Sequence, residues 1–262
     1  MIEAKNICFS YGSGRRALKN VSFTLKDGSF TGLTGKTGSG KTTLSKILRG
    51  LLVPSSGTVL FDSMEVKTGK NLDSGIGLVF QFPEHQLFGE TVLKDVMFGP
   101  ENIELSDPEA KAKEALSKVG LGREFYDRSP LSLSGGEKRR AAIAGILAMD
   151  SRFLILDEPS AGLDTTGRRD VFSALKNLNK NGTGILMVSH NPDDMAQLCD
   201  NIILLEDGAV ADMGNAADVL SRHDFLVPSA LRVAGSLKRA GFDLKGKILT
   251  PEGLVSAVMR CL

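Results

Sequence analysis

Three short stretches of this sequence combine residue types suited to holding and cleaving a phosphate chain. Gly35-Lys36-Thr37-Gly38-Ser39-Gly40-Lys41-Thr42 fits the pattern G-x-x-x-x-G-K-[ST] with nothing missing, and Thr43 follows it. Glycines at 35, 38 and 40 let successive backbone N–H groups turn inward around an anion, and a helix starting at Lys41 aims its positive end at the same point. Lys41 then reaches the β- and γ-phosphates of a nucleotide, and the Thr42 hydroxyl is placed to ligate Mg²⁺. A glycine-rich turn matching by chance is the plain alternative, but a strand precedes this loop and a helix follows it, as the chemistry requires. Next, residues 153–156 are an apolar run that closes on Asp157 and Glu158. Two carboxylates ending a buried strand are costly unless cations or catalysis need them. Behind a phosphate loop they read as a metal holder, Asp157, acting through the ion's water shell, and a base, Glu158, that orients and deprotonates water. Alone, the same run is equally a solvated strand end. Finally, Leu133-Ser134-Gly135-Gly136-Glu137 opens a helix that runs on through Ala144, a second anion-binding helix terminus in one chain. The same residues make a capping box, with Ser134 as cap and Glu137 closing it, and the two readings are compatible.

The elements that position these motifs are legible from periodicity. Residues 2–11 and 21–25 alternate apolar with polar side chains, which suits half-buried strands, with turns at Gly12-Ser13-Gly14 and Lys26-Asp27-Gly28. Residues 30–34 make a short strand into the glycine loop, and a helix over 41–50 ends at Gly50 and Pro54-Ser55-Ser56-Gly57. Strands recur at 58–61 and 75–80. Asp107-Pro108 opens a helix carrying Ala112, Ala115, Leu116 and Val119 and ending at Gly120, and another covers 136–149 with Ala142, Ile143, Ile146 and Leu147 on one side. The compact apolar runs 153–156, 184–188 and 201–205 suit strands buried on both faces of a parallel sheet, with a connecting helix at 171–179. The expectation is an α/β fold with a helical insertion at about 84–150. A division near 220 separates residues 1–220 from a helical tail, 221–262, with turns near Gly241 and Pro251.

Composition narrows the function class. The 262 residues carry 32 Lys and Arg against 31 Asp and Glu, a net charge of +1, which is no electrostatic footprint for nucleic acid or an anionic membrane. Cys8, Cys199 and Cys261 are far apart without a CxxC spacing, so reduced thiols in a cytoplasmic setting are expected rather than a disulfide framework or a zinc site. No basic lead enters an apolar stretch at the N-terminus, and no uncharged apolar run approaches the roughly 20 residues of a membrane-spanning helix. Any membrane role is therefore expected to come through a partner.

In this order along the chain, the motifs resemble those of the ABC ATPases from about residue 2 to residue 220. The resemblance implies a P-loop NTPase core with a mixed, mainly parallel sheet, and ATP and Mg²⁺ as cofactors. It implies that Tyr11 stacks on adenine and that Gly35, Lys36, Thr37, Gly38, Ser39, Gly40, Lys41, Thr42 and Thr43 hold the phosphates. Gln81 senses Mg²⁺ and the γ-phosphate, so Thr42, Gln81 and Asp157 form the metal set. Glu158, His190 and Gln81 form the catalytic set. Residues 133–137 correspond to the family signature, which lies opposite the other subunit's phosphate loop, so Ser134, Gly135 and Gly136 meet the partner's ATP. Residues 160–164, with Asp164, form a loop that crosses the dimer. A lone chain is then catalytically incomplete. Taken singly, Tyr11 also suits a strand aromatic at a turn, Gln81 a solvated strand end, His190 a structural histidine and Asp164 a helix cap.

Gln81-Phe82-Pro83-Glu84-His85-Gln86-Leu87-Phe88, Phe98-Gly99-Pro100-Glu101-Asn102 and the run 139–149 resemble, within that family, the ATPases of energy-coupling factor (ECF) importers for vitamins and transition-metal ions, most of all the type often called EcfA-prime. Gly145, where many ABC proteins carry Arg, is shared with that group, and Glu137 is a frequent variant of the signature glutamine. This implies a second ABC ATPase as partner, identical or related, a transmembrane coupling protein and, through it, a membrane substrate-binding protein, at the cytoplasmic face. Phe82, Leu87 and Phe88 are either core residues of the insertion or an apolar docking patch, to which Glu84 adds a partner for an arginine. The tail after 220 resembles helices that brace the ATPase dimer. The competing readings are the ATPase of another ABC transporter class, a soluble ABC ATPase acting on nucleic acid or the ribosome, and a regulator without hydrolysis. Lys138-Arg139-Arg140 and Gly167-Arg168-Arg169 are the basic runs that suggest a nucleic-acid role, but short basic runs on helices are usually solvated faces. A regulator would be expected to lack Glu158 or His190, and both are present. Lys41→Ala is predicted to weaken nucleotide binding, and a titration with labelled ATP that finds wild-type affinity would refute the role of this lysine.

Overall fold

In the computed structural model the alternation of the first strands becomes an antiparallel pair, β1 (Ile2–Ser10) against β2 (Arg16–Leu25), with Ile2 opposite Leu25. The structure describes residues 1–12, 14, 16–69, 75–244, 246 and 248–261, without the side chains of Glu84 and His85. Ser13 of the expected turn, Leu262 of the expected tail and the pairing suggested for Glu84 thus lie outside the described residues. The chain continues through β3 (Phe30–Thr34), α1 (Lys41–Leu48), β4 (Ser56–Phe61), β5 (Met64–Glu65) and β6 (Ile76–Val79). Helices α2 (Val92–Asn102), α3 (Pro108–Lys118) and α4 (Gly135–Leu147) come next, then β7 (Phe153–Asp157), α5 (Thr165–Lys180), β8 (Gly184–Val188) and α6 (Pro192–Leu198). A hairpin of β9 (Asn201–Glu206) and β10 (Ala209–Asn215) leads to α7 (Ala216–Arg222), α8 (Ser229–Arg239) and α9 (Pro251–Met259).

Strands β2-β1-β4-β5 form an antiparallel sheet in that order, and a second sheet runs β10-β9-β3-β8-β7-β6. In the second sheet all neighbours pair in parallel except β10, which is antiparallel to β9 at the edge. This is an α/β fold with a mixed sheet. The unbroken apolar runs follow from burial on both faces. Leu154, Leu156, Ile185 and Met187 join the core under the helices α2 to α7. Their neighbours in sequence, Phe153, Ile155, Leu186 and Val188, join the core shared with α1 and the antiparallel sheet. Within these strands there is no solvent-facing side to carry polar residues until β7 reaches its end at Asp157.

Several elements differ from the sequence expectation, β2 and α2 among them. β2 starts at Arg16, well before the clean alternation at 21–25, because its pairing with β1 shifts register between Ala4 and Ile7 and again between Ile7 and Phe9. Each bulge resets which residues face inward, so no single period of two spans the strand. α2 lies within the expected helical insertion but had no bounds of its own in the sequence, and its Gly99-Pro100 is unfavourable inside a helix. Thr91 caps it by accepting from the Lys94 N–H, and Val92, Val96 and Pro100 lie buried on one face. Pro100 sits in the last turn, where it forfeits one backbone bond that packing offsets.

At the other end, Ala234, Leu244, Ile248 and Ala257 of the α8–α9 segment form a small core of their own. Among the described residues no helix is long and apolar enough to cross a membrane. The described cysteines are free thiols. Leu154→Ala should lower the unfolding free energy by about 2–5 kcal/mol through lost burial and a cavity. Leu131, 82% exposed, should change it by less than about 0.5 kcal/mol on the same substitution. Urea unfolding of both variants checks the contrast, and equal losses would contradict this account of the core.

Candidate functional site

Register places the chemistry. β3, β8, β7 and β6 lie side by side and point the same way, with Leu33 opposite Val188, Val188 opposite Asp157, and Leu156 opposite Val79. Their carboxyl ends therefore open on one line, where α/β sheets commonly bind ligands. The glycine loop leaves β3, His190 follows β8, Asp157 and Glu158 end β7, and Gln81 follows β6. They meet in a cleft of about 500 Å³ lined by Tyr11, Gly38, Lys41, Gln81, Glu158 and His190, among others.

The loop is shaped as an anion cradle. Gly35 and Gly40 have φ of 143° and 106°, and a Cβ on them would sit 2.0 Å from the Leu205 carbonyl and 2.5 Å from that of Ala17. Only glycine fits there. α1 begins at Gly40 without a side-chain cap, so its first N–H groups face the cradle. The Ser39 hydroxyl is buried within the loop with no hydrogen-bond partner among the described residues. Lys41 folds back across the loop, its Nζ donating to the carbonyls of Gly35 at 2.7 Å and Lys36 at 3.0 Å. Lys36 and Thr37 stand exposed at the lip.

Charges concentrate opposite the loop. The Thr42 hydroxyl donates to Asp157 Oδ2 at 3.2 Å. Burial pushes the Asp157 carboxyl above its ordinary range, the neighbouring Glu158 adds to that, and Thr42, Lys41 and Lys46 oppose it. Burial lowers the Lys41 ammonium, against the pull of Glu158 and Asp157. Both shifts mark a site partly withdrawn from water, where an incoming cation and anion would each be welcomed. Glu158 has a left-handed backbone, φ 51°, and its Oε1 lies 2.7 Å from Nδ1 of His190. Tyr11 is half-exposed at the rim, with its hydroxyl 2.9 Å from Thr43 Oγ1 and its ring edge-on to Phe9.

Ser134, Gly135, Gly136 and Asp164 are not brought to this cleft. They line a second one, with Gly162, Leu163 and Gly167. Ser134 and Glu137 make the capping box: Ser134 Oγ accepts from the Glu137 N–H at 3.3 Å, and Glu137 Oε2 accepts from the Ser134 N–H at 2.7 Å. Asp164 caps α5 by accepting from the Gly167 N–H at 2.7 Å. The Gln81–Phe88 stretch divides: Phe82 and Phe88 are exposed, Phe88 lies edge-to-face with Phe98 at 4.7 Å, and Leu87 packs on the core.

The basic runs are not simply solvated faces. Arg139 is buried, its Nη1 reaching the carbonyls of Pro159 and Ala161, while Arg168 pairs with the buried Asp194. Sequence reading missed this network, in which Asp194 also accepts from the Ser160 hydroxyl. Burial raises the Asp194 carboxyl, helped by Glu158 and Asp193 and opposed by Ser160 and Arg168. The signal was faint: Arg139 falls on the helix face of Ala142, Ile143 and Ile146, but so short a basic run looks like any solvated turn.

Residues 18–161 match the ABC transporter family. The chain is 42% identical to the energy-coupling factor transporter ATP-binding protein EcfA2 of Streptococcus agalactiae, over 98% of each chain. It is also 42% identical to the protein of that name from Clostridioides difficile, over 99% of this chain and 96% of that one. Its fold superposes on cbiO1 from Clostridium perfringens, part of the ABC transporter complex cbiONQ, with a TM-score of 0.80 and 34% identity over 92% of this chain and 96% of that one. A dimeric ATP-binding cassette in a post-hydrolysis state, bound to ADP and Pi, superposes with a TM-score of 0.70 at 28% identity, over 82% of this chain and 99% of that one.

Gly40→Ala is predicted to abolish ATP binding and to lower the unfolding midpoint, since a left-handed φ and a carbonyl 2.5 Å from the new Cβ both oppose it. Wild-type affinity for labelled ATP in this variant would contradict the cradle geometry.

Proposed function

This chain belongs to the ABC transporter family, among the ATP-binding proteins of energy-coupling factor transporters, and we propose that its two clefts are the two halves of a composite ATP site. It is an ATPase subunit whose hydrolysis is coupled to transport. One observation carries the proposal: the phosphate loop, Asp157, Glu158 and His190 share one cleft, while Ser134, Gly135, Gly136 and Asp164 share another. A second ATPase subunit, turned head to tail, would set each cleft against its complement and enclose two ATP. The capping box occupies the amides of Ser134 and Glu137 and leaves those of Gly135 and Gly136 for the partner's nucleotide.

The residues fit the nucleotide and its metal. The orphaned Ser39 hydroxyl, the uncapped α1 and the glycine cradle suit phosphate oxygens, and Thr42, Asp157 and Gln81 offer the hard oxygen donors that Mg²⁺ prefers. Bound there, the ion would neutralise charge on the β- and γ-phosphates. Lys41 leaves the carbonyls of Gly35 and Lys36 for the same phosphates. Tyr11 offers its exposed ring to adenine. Glu158 orients the attacking water and takes its proton, and His190 turns from Glu158 to the γ-phosphate. Positioning and fixed charge carry most of this chemistry.

Residues 1–220 act as the nucleotide-binding part, with the helical portion at about 84–150, and residues 221–262 as an extension that braces the dimer. Exposed Phe82 and Phe88 receive a transmembrane coupling protein at the cytoplasmic face. Through it the motor serves a membrane protein that binds a vitamin or a transition-metal ion. Nucleic acid is not a partner in this reading.

Glu158→Gln is predicted to cut turnover by about 10²–10⁴-fold while trapping an ATP-bound dimer visible by light scattering. Unchanged hydrolysis would remove Glu158 from its role. Affinity purification of the tagged chain from its own cells in mild detergent tests the partners. Recovery of a polytopic membrane protein with a second ATPase supports the reading, and recovery of ribosomes or DNA-bound proteins alone overturns it.

A further inference from the structure

Arg139 is 1% exposed, although it lies one turn into the helix that Ser134 opens. Its Nη1 lies 2.8 Å from the Pro159 carbonyl, 2.9 Å from that of Ala161 and 3.4 Å from that of Glu158. A guanidinium buried this deeply is expensive to desolvate, and main-chain carbonyls turned toward it offset that cost. The segment it grips is strained, since Glu158 is a non-glycine residue at φ 51°. Such a conformation persists only where its surroundings hold it. The far end of the segment is held too. Asp164 caps α5 through Gly167, and a Cβ on Gly136 would come within 2.8 Å of Gly167 Cα, so α4 and α5 start in direct contact.

We propose that Arg139 is a positioning residue that fixes the Glu158 main chain from α4, and so ties the hydrolytic cleft to the cleft around Ser134. This rests on the composite-site reading. α4 presents its first amides to one ATP while its buried arginine holds the main chain that carries the carboxylate serving the other. Closure of the partner's loop onto Ser134 and Gly136 then bears directly on the turn carrying Glu158, and the two sites feel each other within one chain. Arg139 acts through the carbonyls it holds.

The test uses the complex isolated through the tagged full chain. Arg139→Gln, whose shorter neutral amide cannot reach the same carbonyls, should lower kcat by about tenfold or more with the KM for ATP within about twofold, because misplacing a base affects chemistry more than binding. Arg139→Lys should recover part of that loss. A kcat within twofold of the unmodified complex overturns the proposal. So does a fall in kcat accompanied by an equal loss of ATP affinity and a lower unfolding midpoint, which is the mark of a merely structural residue. Hydrogen exchange on the unmodified complex decides the matter if the variants do not fold: the amides of Glu158, Ala161 and Leu163 should be protected before ATP is added, and exchange at the rate of an open loop overturns it. Glu158→Gln measured alongside separates the two claims. Retained turnover there sinks the composite-site chemistry itself, whereas lost turnover with unaffected Arg139 variants sinks only the role of Arg139.

Discussion

Parallel pairing of β7 with β8, in which Asp157 stands opposite Val188, sets the separation between the carboxylates that end one strand and the histidine just beyond the end of the next. The same pairing, continued through β3, brings the glycine loop to the same line. A shift of one residue in any of these strands would turn every apolar side chain onto the opposite face and carry the site out of alignment. Close packing of differently shaped side chains on the two faces is what opposes that shift. The apolar cores on either side of the sheet thus act at a distance as the alignment device for the charged groups.

Those charged groups are held in mild opposition. Asp157 and Glu158 lie next to each other, and burial and mutual repulsion push the Asp157 carboxyl up, while burial draws the Lys41 ammonium down. The Lys41 Nζ meanwhile donates to backbone carbonyls of its own loop, and His190 to or from Glu158. In the proposed function, each of these contacts is one that a nucleotide phosphate or a cation would replace. Such a site would exchange internal partners for ligand rather than order itself around one, which keeps the conformational cost of binding low.

The second cleft makes a different physical point. A helix N-terminus satisfied by a capping box is stable by itself, yet the box leaves amides between its two ends, so stability would not compete with the anion binding proposed at Ser134. In the proposed composite site, placing that terminus away from the phosphate loop of the same chain makes dimerisation a condition of completing it. Arg139 is bonded to the carbonyls of Pro159 and Ala161, and Ser160 and Arg168 to Asp194, so the segment between the clefts is tied down at several points.

The glycine loop, the acidic pair and the capping box were all legible in the sequence, because each is a local device whose residues are neighbours and whose geometry follows from their own backbone preferences. The strands from 153, 184 and 201 were legible for a similar reason, since burial on both faces writes itself as an uninterrupted apolar run. The bounds of α2 were not, because Gly99-Pro100 is unfavourable inside a helix, and only packing of Val92, Val96 and Pro100 outweighs that local penalty. β2 was not legible in full, because bulges against β1 scramble its period. Arg139 was misread as a solvated charge, because the carbonyls that draw it inward belong to a turn some twenty residues away in sequence. What the amino-acid order determined alone was the inventory of chemistry and the fold class, both written in short-range spacing. Which groups share a cleft, which stand apart from it, and which charge is buried depend on contacts between distant segments, and only the tertiary structure decided them.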